Sequence, residues 1–281
     1  MEQRTAYLTF GGGVAVIAAI LLGGQALLGI AMASDSIAAL PPAIIGFAAN
    51  LLLFGAIAAL AAVMLAREHR LAGVAGPNPG RDAGLGLALG LAGVGLAAAQ
   101  AIVAGTLTSA TGANEAAWLL LGILAILVQA GGEEIAFRGW LQPLLARAAG
   151  PLPALLLPTL AFMAMHLVGG ARAPLALVNL FLGGLWFALL AWRSGGIALP
   201  AAAHIAWNTT EQLLLGLDPN PGVGAYGALA DFDLIGSAWW GGSDQGLNAS
   251  LGTTAVLLAL IVPLAVGRAP LAAHTPADRI S

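Results

Sequence analysis

The chain lacks several residue types, and each absence excludes a class of function. It has no cysteine, which excludes disulfides, thiolate metal sites and a cysteine nucleophile. It has no lysine and carries a net charge of -3, and no basic cluster suggests binding to nucleic acid. Charged residues make up only 8% of the chain, far below their share in soluble globular domains.

Long apolar runs take the place of the missing charge. The chain is 59% hydrophobic and its mean hydropathy is +0.92. Runs long enough to cross a bilayer, roughly 20 residues each, cover 8–33, 39–66, 84–110, a stretch from 116 onward, 153–168, 174–192, 197–217 and 251–266. Because unpaired backbone groups are too costly in hydrocarbon, these runs must be helices. The sequence therefore predicts an all-α polytopic bundle of about eight transmembrane helices.

This pattern divides the chain into three regions. We assign 1–115 to the first three transmembrane helices, 116–217 to a catalytic core of helices four to seven, and 218–281 to an acidic extracytoplasmic loop, the eighth helix and a tail. Ala31-Met32-Ala33 is similar to a signal-peptidase site, but the apolar run before it is longer than a signal peptide requires. We therefore predict that the first helix is retained.

The basic residues indicate the orientation in the membrane. With eight spans, nine of the ten arginines fall on one side, and Arg172 is the exception. The nine are Arg4, Arg67, Arg70, Arg81, Arg138, Arg147, Arg193, Arg268 and Arg279. The other side carries Asp35, Glu115, Asp218, Asp231, Asp233 and Asp244. Positive residues favour the cytoplasm, so we predict an integral protein of a bacterial cytoplasmic membrane with both termini cytoplasmic.

The polar residues inside the apolar runs are the candidates for chemistry, because an ionisable group there costs several kcal/mol unless it is paired or hydrated. The most polar stretch is GGEEIAFRGWL at 131–141. Residues four apart share one face of a helix. Three such pairs occur in these runs: Glu134 with Arg138, Phe162 with His166, and His204 with Asn208.

The two adjacent glutamates require different roles, because neighbouring residues point about 100° apart around a helix. Glu134 precedes Arg138 by one turn, which is the better order for an ion pair. Glu133 is then free to face His166 and His204, provided that its helix continues to about Gln142. This arrangement predicts a site within the bilayer, in its cytoplasmic half.

These groups suit hydrolysis of an amide bond. In that scheme Glu133, assisted by His166, activates a water molecule as a general base. His204 and Asn208 donate hydrogen bonds to the oxyanion. Glu134, Arg138 and Phe162 support the site, and we interpret Phe162 mainly as a packing residue.

The three motifs resemble those of the CPBP family, the CAAX protease and bacteriocin-processing membrane endopeptidases, which include type II CAAX prenyl proteases. The family pattern of two glutamates, three residues and an arginine matches Glu133, Glu134 and Arg138. The second and third patterns match Phe162 to His166 and His204 to Asn208. The resemblance covers about 118–211 and implies a glutamate-type intramembrane endopeptidase with the roles given above.

Two alternatives remain open. Glu133, His166 and His204 could instead bind Zn²⁺, since three such ligands with one open position form a catalytic zinc site; we expect no cofactor, because the sequence lacks the helical His-Glu-x-x-His pair. The chain could also be a transporter or a non-catalytic membrane scaffold. The expected partners are the lipid bilayer and a peptide or membrane-protein substrate, with or without a lipid group.

Two further features are assigned without a catalytic role. Glu211 follows His204 by seven residues on roughly the same face, and we interpret it as an outer-interface residue rather than an assisting group. The acidic loop 218–250 fits a lid, a partner site or a simple connector.

Overall fold

The computed structural model describes residues 2–110, 117–219 and 226–267, and helices make up most of this part of the chain. In chain order they are α1 (Gln3–Met32), α2 (Asp35–Ala38), α3 (Pro42–Arg67), α4 (Pro79–Val103), α5 (Leu119–Glu134), α6 (Gln142–Ala149), α7 (Pro151–Val168), α8 (Pro174–Ser194), α9 (Ala198–Thr209) and α10 (Leu251–Val266). Glu115, Arg268 and Arg279, which the sequence assigned to the two sides of the membrane, lie outside the described residues.

Proline and glycine mark several helix ends. The helices α3, α4, α7 and α8 each begin with proline, whose missing N–H group costs nothing in a first turn. Gly195 follows α8 with a φ of 76°, a left-handed conformation that glycine adopts without steric cost. These residues separate apolar runs that would otherwise merge.

The predicted all-α polytopic fold is confirmed. Six helical segments in the described part of the chain are long and apolar enough to cross a membrane. The last two predicted spans are shorter: α10 has 16 residues, and α9 has 12 before a five-residue π-helical continuation at Thr210–Leu214.

The helix that carries the two glutamates is the longest continuous segment. A π-helical segment, Ile135–Leu141, joins α5 to α6, so the chain stays helical from Leu119 to Ala149. This confirms that the helix continues past Gln142. A π segment adds an extra residue to a helical turn and often occurs at functional sites.

The two ends of the bundle differ in charge. At one end, which we call the arginine face, Arg67, Arg70, Arg81, Arg147 and Arg193 flank the connections between helices. Contacts across these connections fix this end: Arg147 pairs with Glu68 at 2.6 Å, and the N–H of Ile197 donates to the carbonyl of Val74 at 2.9 Å.

The opposite end, which we call the acidic face, carries Asp35, Asp218, Asp231, Asp233 and Asp244, with Arg172 as its one described arginine. A three-stranded sheet lies here, with strand order β1-β3-β2. Its strands are β1 (Leu107–Ser109), β2 (Leu217–Asp218) and β3 (Phe232–Leu234). We call residues 226–250 the cap. The acidic loop is therefore folded in its described part.

The helices α4 and α9 pack closely against each other. Small residues let transmembrane helices approach closely, and Gly86, Gly90 and Gly93 line this contact. A Cβ atom added at Gly90 would lie 2.3 Å from the carbonyl oxygen of Ala203. The glycines of α4 therefore fix the position of α9, which carries His204 and Asn208.

Candidate active site

A cavity of about 380 Å³ lies among α5, α7, α8 and α9, with parts of α1, α3 and the cap in its wall. Six of the residues singled out in the sequence reach it: Glu133, Phe162, His166, His204, Asn208 and Glu211. They come from three helices that are far apart in sequence. The structure thus brings together the residues to which catalytic roles were assigned.

Glu134 is the buried centre of the polar network. Its side chain is 0% exposed, and its Oε1 accepts hydrogen bonds from Arg138 Nη1 at 2.9 Å and from His204 Nδ1 at 3.0 Å. Arg138 also donates from Nη2 to the carbonyl of Gly184 at 2.9 Å. The predicted Glu134–Arg138 ion pair is present, and one carboxylate oxygen links α5 to α9.

The contact with Glu134 indicates which ring nitrogen of His204 carries a hydrogen. A carboxylate oxygen only accepts, so His204 Nδ1 carries a hydrogen. The other nitrogen, Nε2, lies 3.8 Å from Glu133 Oε2. Phe187 stacks on the imidazole with ring centroids 4.6 Å apart. His204 is therefore held on one nitrogen and one ring face, with Nε2 directed towards Glu133.

Glu133 is buried but lacks a direct partner at one oxygen. Its residue exposure is 7%, and Oε2 makes no hydrogen bond within the described part of the chain. An unpaired buried carboxylate oxygen is costly. Its position in the wall of the cavity gives it access to a bound molecule.

His166 lies two residues before the end of α7 and lines the same cavity. Its Nδ1 is 2.9 Å from the carbonyl oxygen of Phe162. Because a carbonyl only accepts, Nδ1 donates, which leaves Nε2 as the acceptor of the neutral ring. Asn208 lies one turn after His204 and is half-buried in the cavity wall.

Phe162 packs as the sequence predicted. Its ring is 4.5 Å from Arg138 Cζ and meets Phe137 edge-on at 5.5 Å between centroids. A guanidinium over an aromatic face gains a cation–π attraction that increases when water is excluded. Phe162 therefore helps to keep the buried Arg138 in place.

Comparison with known proteins agrees with this geometry. Residues 115–210 match the family model described as type II CAAX prenyl endopeptidase Rce1-like. Over this segment, about a third of the chain, the protein is similar to the CAAX protease family. No curated protein and no solved structure matches the chain. The match, together with the apolar helices, supports a membrane-embedded endopeptidase of the CAAX type.

The matched segment ends one residue before Glu211. The prediction that Glu211 is an outer-interface residue is wrong. It is not at an outer interface: it is 2% exposed, and its two carboxylate oxygens accept from Asn248 Nδ2 at 2.7 and 2.9 Å. The position of Glu211 on the same helix face as His204 was a signal in the sequence that Glu211 lines the cavity. Its burial depends on the cap, which supplies Asn248.

The alternative zinc site lacks support from the ligand arrangement. Within 2–110, 117–219 and 226–267, no group of three or more histidine, aspartate or glutamate side chains is arranged to hold a metal ion. Glu133, His166 and His204 share a cavity without forming such a group. We therefore derive no catalytic step through a metal.

The cavity extends along the axis of the bundle. The sequence predicts a site in the cytoplasmic half of the bilayer. The cavity runs from the middle of the bundle to the acidic face, where Gly169, Ala171, Gln245 and Asn248 line it. The reason is that His166 lies near the acidic-face end of α7, about 22 Å from its first residue at 1.5 Å per residue.

Proposed function

We propose that this CAAX-type protease hydrolyses a peptide bond by a glutamate-based mechanism, with Glu133 as the general base. The observation that carries the proposal is the sharing of one buried cavity by Glu133, His166, His204 and Asn208. A carboxylate, two imidazoles and an amide supply a base and hydrogen-bond donors without a further cofactor.

In the first step, Glu133 takes one proton from a water molecule, while His166 Nε2 accepts a hydrogen bond from the O–H group that remains. The water oxygen bonds to the carbonyl carbon, and the carbonyl electron pair moves to oxygen. Asn208 donates to this oxyanion from its amide. His204 donates from Nε2, which requires a doubly protonated ring with Nδ1–H held by Glu134.

In the second step, the C–N bond breaks and its electron pair goes to nitrogen. Glu133 returns its proton to the departing amine, so that the carboxylate is regenerated. Glu134 and Arg138 act as positioning residues: the ion pair fixes the turn of helix that follows Glu133, and Glu134 orients His204.

The first test compares peptide termini in membranes that contain either the wild-type protein or Glu133→Gln at equal abundance. The substitution keeps the shape of the side chain and removes its basicity. We expect a set of termini to disappear, uncut precursors to accumulate, and the rate to fall by about a hundredfold or more, since general-base catalysis contributes 10² to 10⁴. Glu2→Gln, at an exposed position, is the matched control.

The outcomes separate the alternatives. Identical termini in the wild type and in folded Glu133→Gln contradict the peptidase mechanism and favour a scaffold or a transporter. Cleavage that depends on Glu133 but stops after exhaustive chelation, and returns with Zn²⁺, favours the metalloprotease. Cleavage that survives chelation supports the metal-free scheme.

A further inference from the structure

The cavity is closed at the arginine face. Between it and that face lie the Glu134–Arg138 pair and Gln142, which donates to the carbonyl of Ala188 at 2.9 Å. Arg138 and Gln142 are each 3% exposed, and Trp140 and Leu141 fill the same layer with 2% and 0% exposure. This layer of buried side chains separates the cavity from a smaller pocket at the arginine face, which Arg138 and Gln142 also line.

The other end of the cavity reaches the acidic face. Its wall there consists of Gly169 and Ala171, in the connection after α7, and of Gln245 and Asn248 in the cap. Asn179 Nδ2 donates to the carbonyl oxygens of Asn248 and Ser250, both at 2.9 Å, which ties the cap to α8. The mouth of the cavity is therefore built from segments outside the helical bundle.

The arginines decide which side of the membrane this mouth faces. Apart from the buried Arg138, every described arginine but Arg172 lies at the arginine face or on the N-terminal segment that begins there. Short loops rich in arginine stay in the cytoplasm. The arginine face is then cytoplasmic, and the acidic face is on the outer side.

We propose that the catalytic cavity opens to the extracytoplasmic side and takes peptide segments presented at the outer surface of the membrane. That the cavity receives a peptide rests on the proposed function. The direction in which the cavity opens does not depend on catalysis. Asp244 is exposed beside the mouth and Glu211 lies in the wall. The exposed Asp244 carboxylate favours neutral or basic segments over acidic ones.

The absence of cysteine makes a direct test possible, because every introduced thiol is the only one in the chain. Gln129→Cys places a thiol inside the cavity, one turn before Glu133, and Gln245→Cys places one at its mouth. Asp244→Cys and Arg81→Cys report the exposed surfaces of the acidic and arginine faces. The probe is a small, membrane-impermeant methanethiosulfonate that carries a trimethylammonium group.

In right-side-out vesicles we expect the probe to modify Asp244→Cys, Gln245→Cys and Gln129→Cys, and to modify Arg81→Cys at least tenfold more slowly. Inside-out vesicles should reverse this order. Each variant is first checked for abundance and for its melting temperature in detergent. If Gln129→Cys does not fold, Gln245→Cys reports the mouth by itself.

Three results would overturn the proposal. Modification of Arg81→Cys from the outside would show that the arginine face is extracytoplasmic, the reverse of the proposed orientation. Modification of Gln129→Cys from the cytoplasmic side alone shows that the cavity opens there. Modification of Gln129→Cys only by a membrane-permeant thiol reagent shows that no aqueous mouth exists. None of these readouts needs proteolysis, so they fail independently of the Glu133→Gln experiment.

The substrates give a second, separate readout. Termini lost in Glu133→Gln should map to the outer segments of membrane proteins or to peptides at the outer surface. Termini that map to cytoplasmic segments would keep the protease and refute the outward opening.

Discussion

One carboxylate oxygen organises the polar groups of this site. Glu134 Oε1 accepts from Arg138 and from His204, at 2.9 and 3.0 Å, and both donor side chains are almost fully buried in the bundle. The ion pair follows from local spacing on one helix. The bond to His204 joins residues 70 positions apart and depends on the packing of α9 against α5.

This arrangement predicts the effect of removing Glu134. Replacing it in Glu134→Leu leaves Arg138 as a buried charge without its carboxylate, which costs about 3 to 5 kcal/mol of unfolding free energy. We expect a lower melting temperature in detergent and loss of peptide cleavage, since His204 also loses its acceptor.

The double variant Glu134→Leu/Arg138→Met is the control for charge. Removing both partners of a buried pair is often neutral for stability, so we expect the melting temperature to recover while cleavage remains lost. A single variant as stable as the wild type, or a double variant that regains cleavage, would contradict the positioning role of Glu134.

At the scale of the elements, glycines and π-helical segments set the positions of the candidate catalytic side chains. One π segment directly follows Glu134, and the other begins two residues after Asn208. Both interrupt helices that the apolar pattern predicts as regular. The sequence gives no local signal for them, because their extra residue is accommodated by packing against neighbouring helices.

The α4–α9 contact gives a prediction at this scale. In Gly90→Ala the new methyl group meets the carbonyl oxygen of Ala203, directly before His204. Overpacking of this kind costs about 1 to 3 kcal/mol, and displacement of α9 should also slow cleavage. The melting temperature in detergent and the cleavage rate are the measurements.

Gly95→Ala is the matched control on the same helix. It lies at an exposed position, and its Cβ would meet nothing within 4 Å. Alanine is the better helix former by about 1 kcal/mol, so this variant should be at least as stable as the wild type and fully active. Equal behaviour of the two variants would show that the α4–α9 contact does not control the site.

On the scale of the whole molecule, the three-stranded sheet at the acidic face joins segments from three parts of the chain. Asp218 in β2 is in register with Asp233 in β3, and Asp231 lies just before that strand. Burial, and then repulsion from Asp231 and Asp233, raise the pKa of Asp218 above its ordinary value. The sheet therefore brings together carboxylates that repel one another when charged.

The raised pKa gives the sign of the pH dependence. Above the ordinary aspartate pKa of about 3.9, and up to the higher value in the folded protein, the folded state binds more protons than the unfolded state. The contribution of Asp218 to the free energy of unfolding is therefore present at low pH and is lost as the pH rises through this window. Asp218→Asn should raise the melting temperature slightly at pH 7 and flatten its decline with pH.

Unfolding in detergent between pH 4 and pH 7 measures this effect. Asp244→Asn, at an exposed site on the same face, is the control and should leave the slope unchanged. An unchanged slope in Asp218→Asn would show that the three carboxylates do not interact across the sheet.

The sequence by itself determined the class of fold and singled out the polar residues that meet in the cavity. Apolar run length imposes helices because hydrocarbon satisfies no backbone hydrogen bond, and spacing of four residues places Glu134 beside Arg138. Ionisable groups in apolar runs point to a site because they are costly elsewhere. These rules are local, so they can be read without knowing which helices are neighbours.

Tertiary structure alone decided how these residues are connected and where the cavity leads. The bond from Glu134 to His204, the burial of Glu211 beneath Asn248, and the extension of the cavity to the acidic face each join segments distant in sequence. Such contacts depend on which helix faces pack together and on how deeply each helix is set in the bundle. The apolar pattern of the sequence determines neither the packing faces nor the depth of the helices, because lipid and protein interiors accept the same side chains.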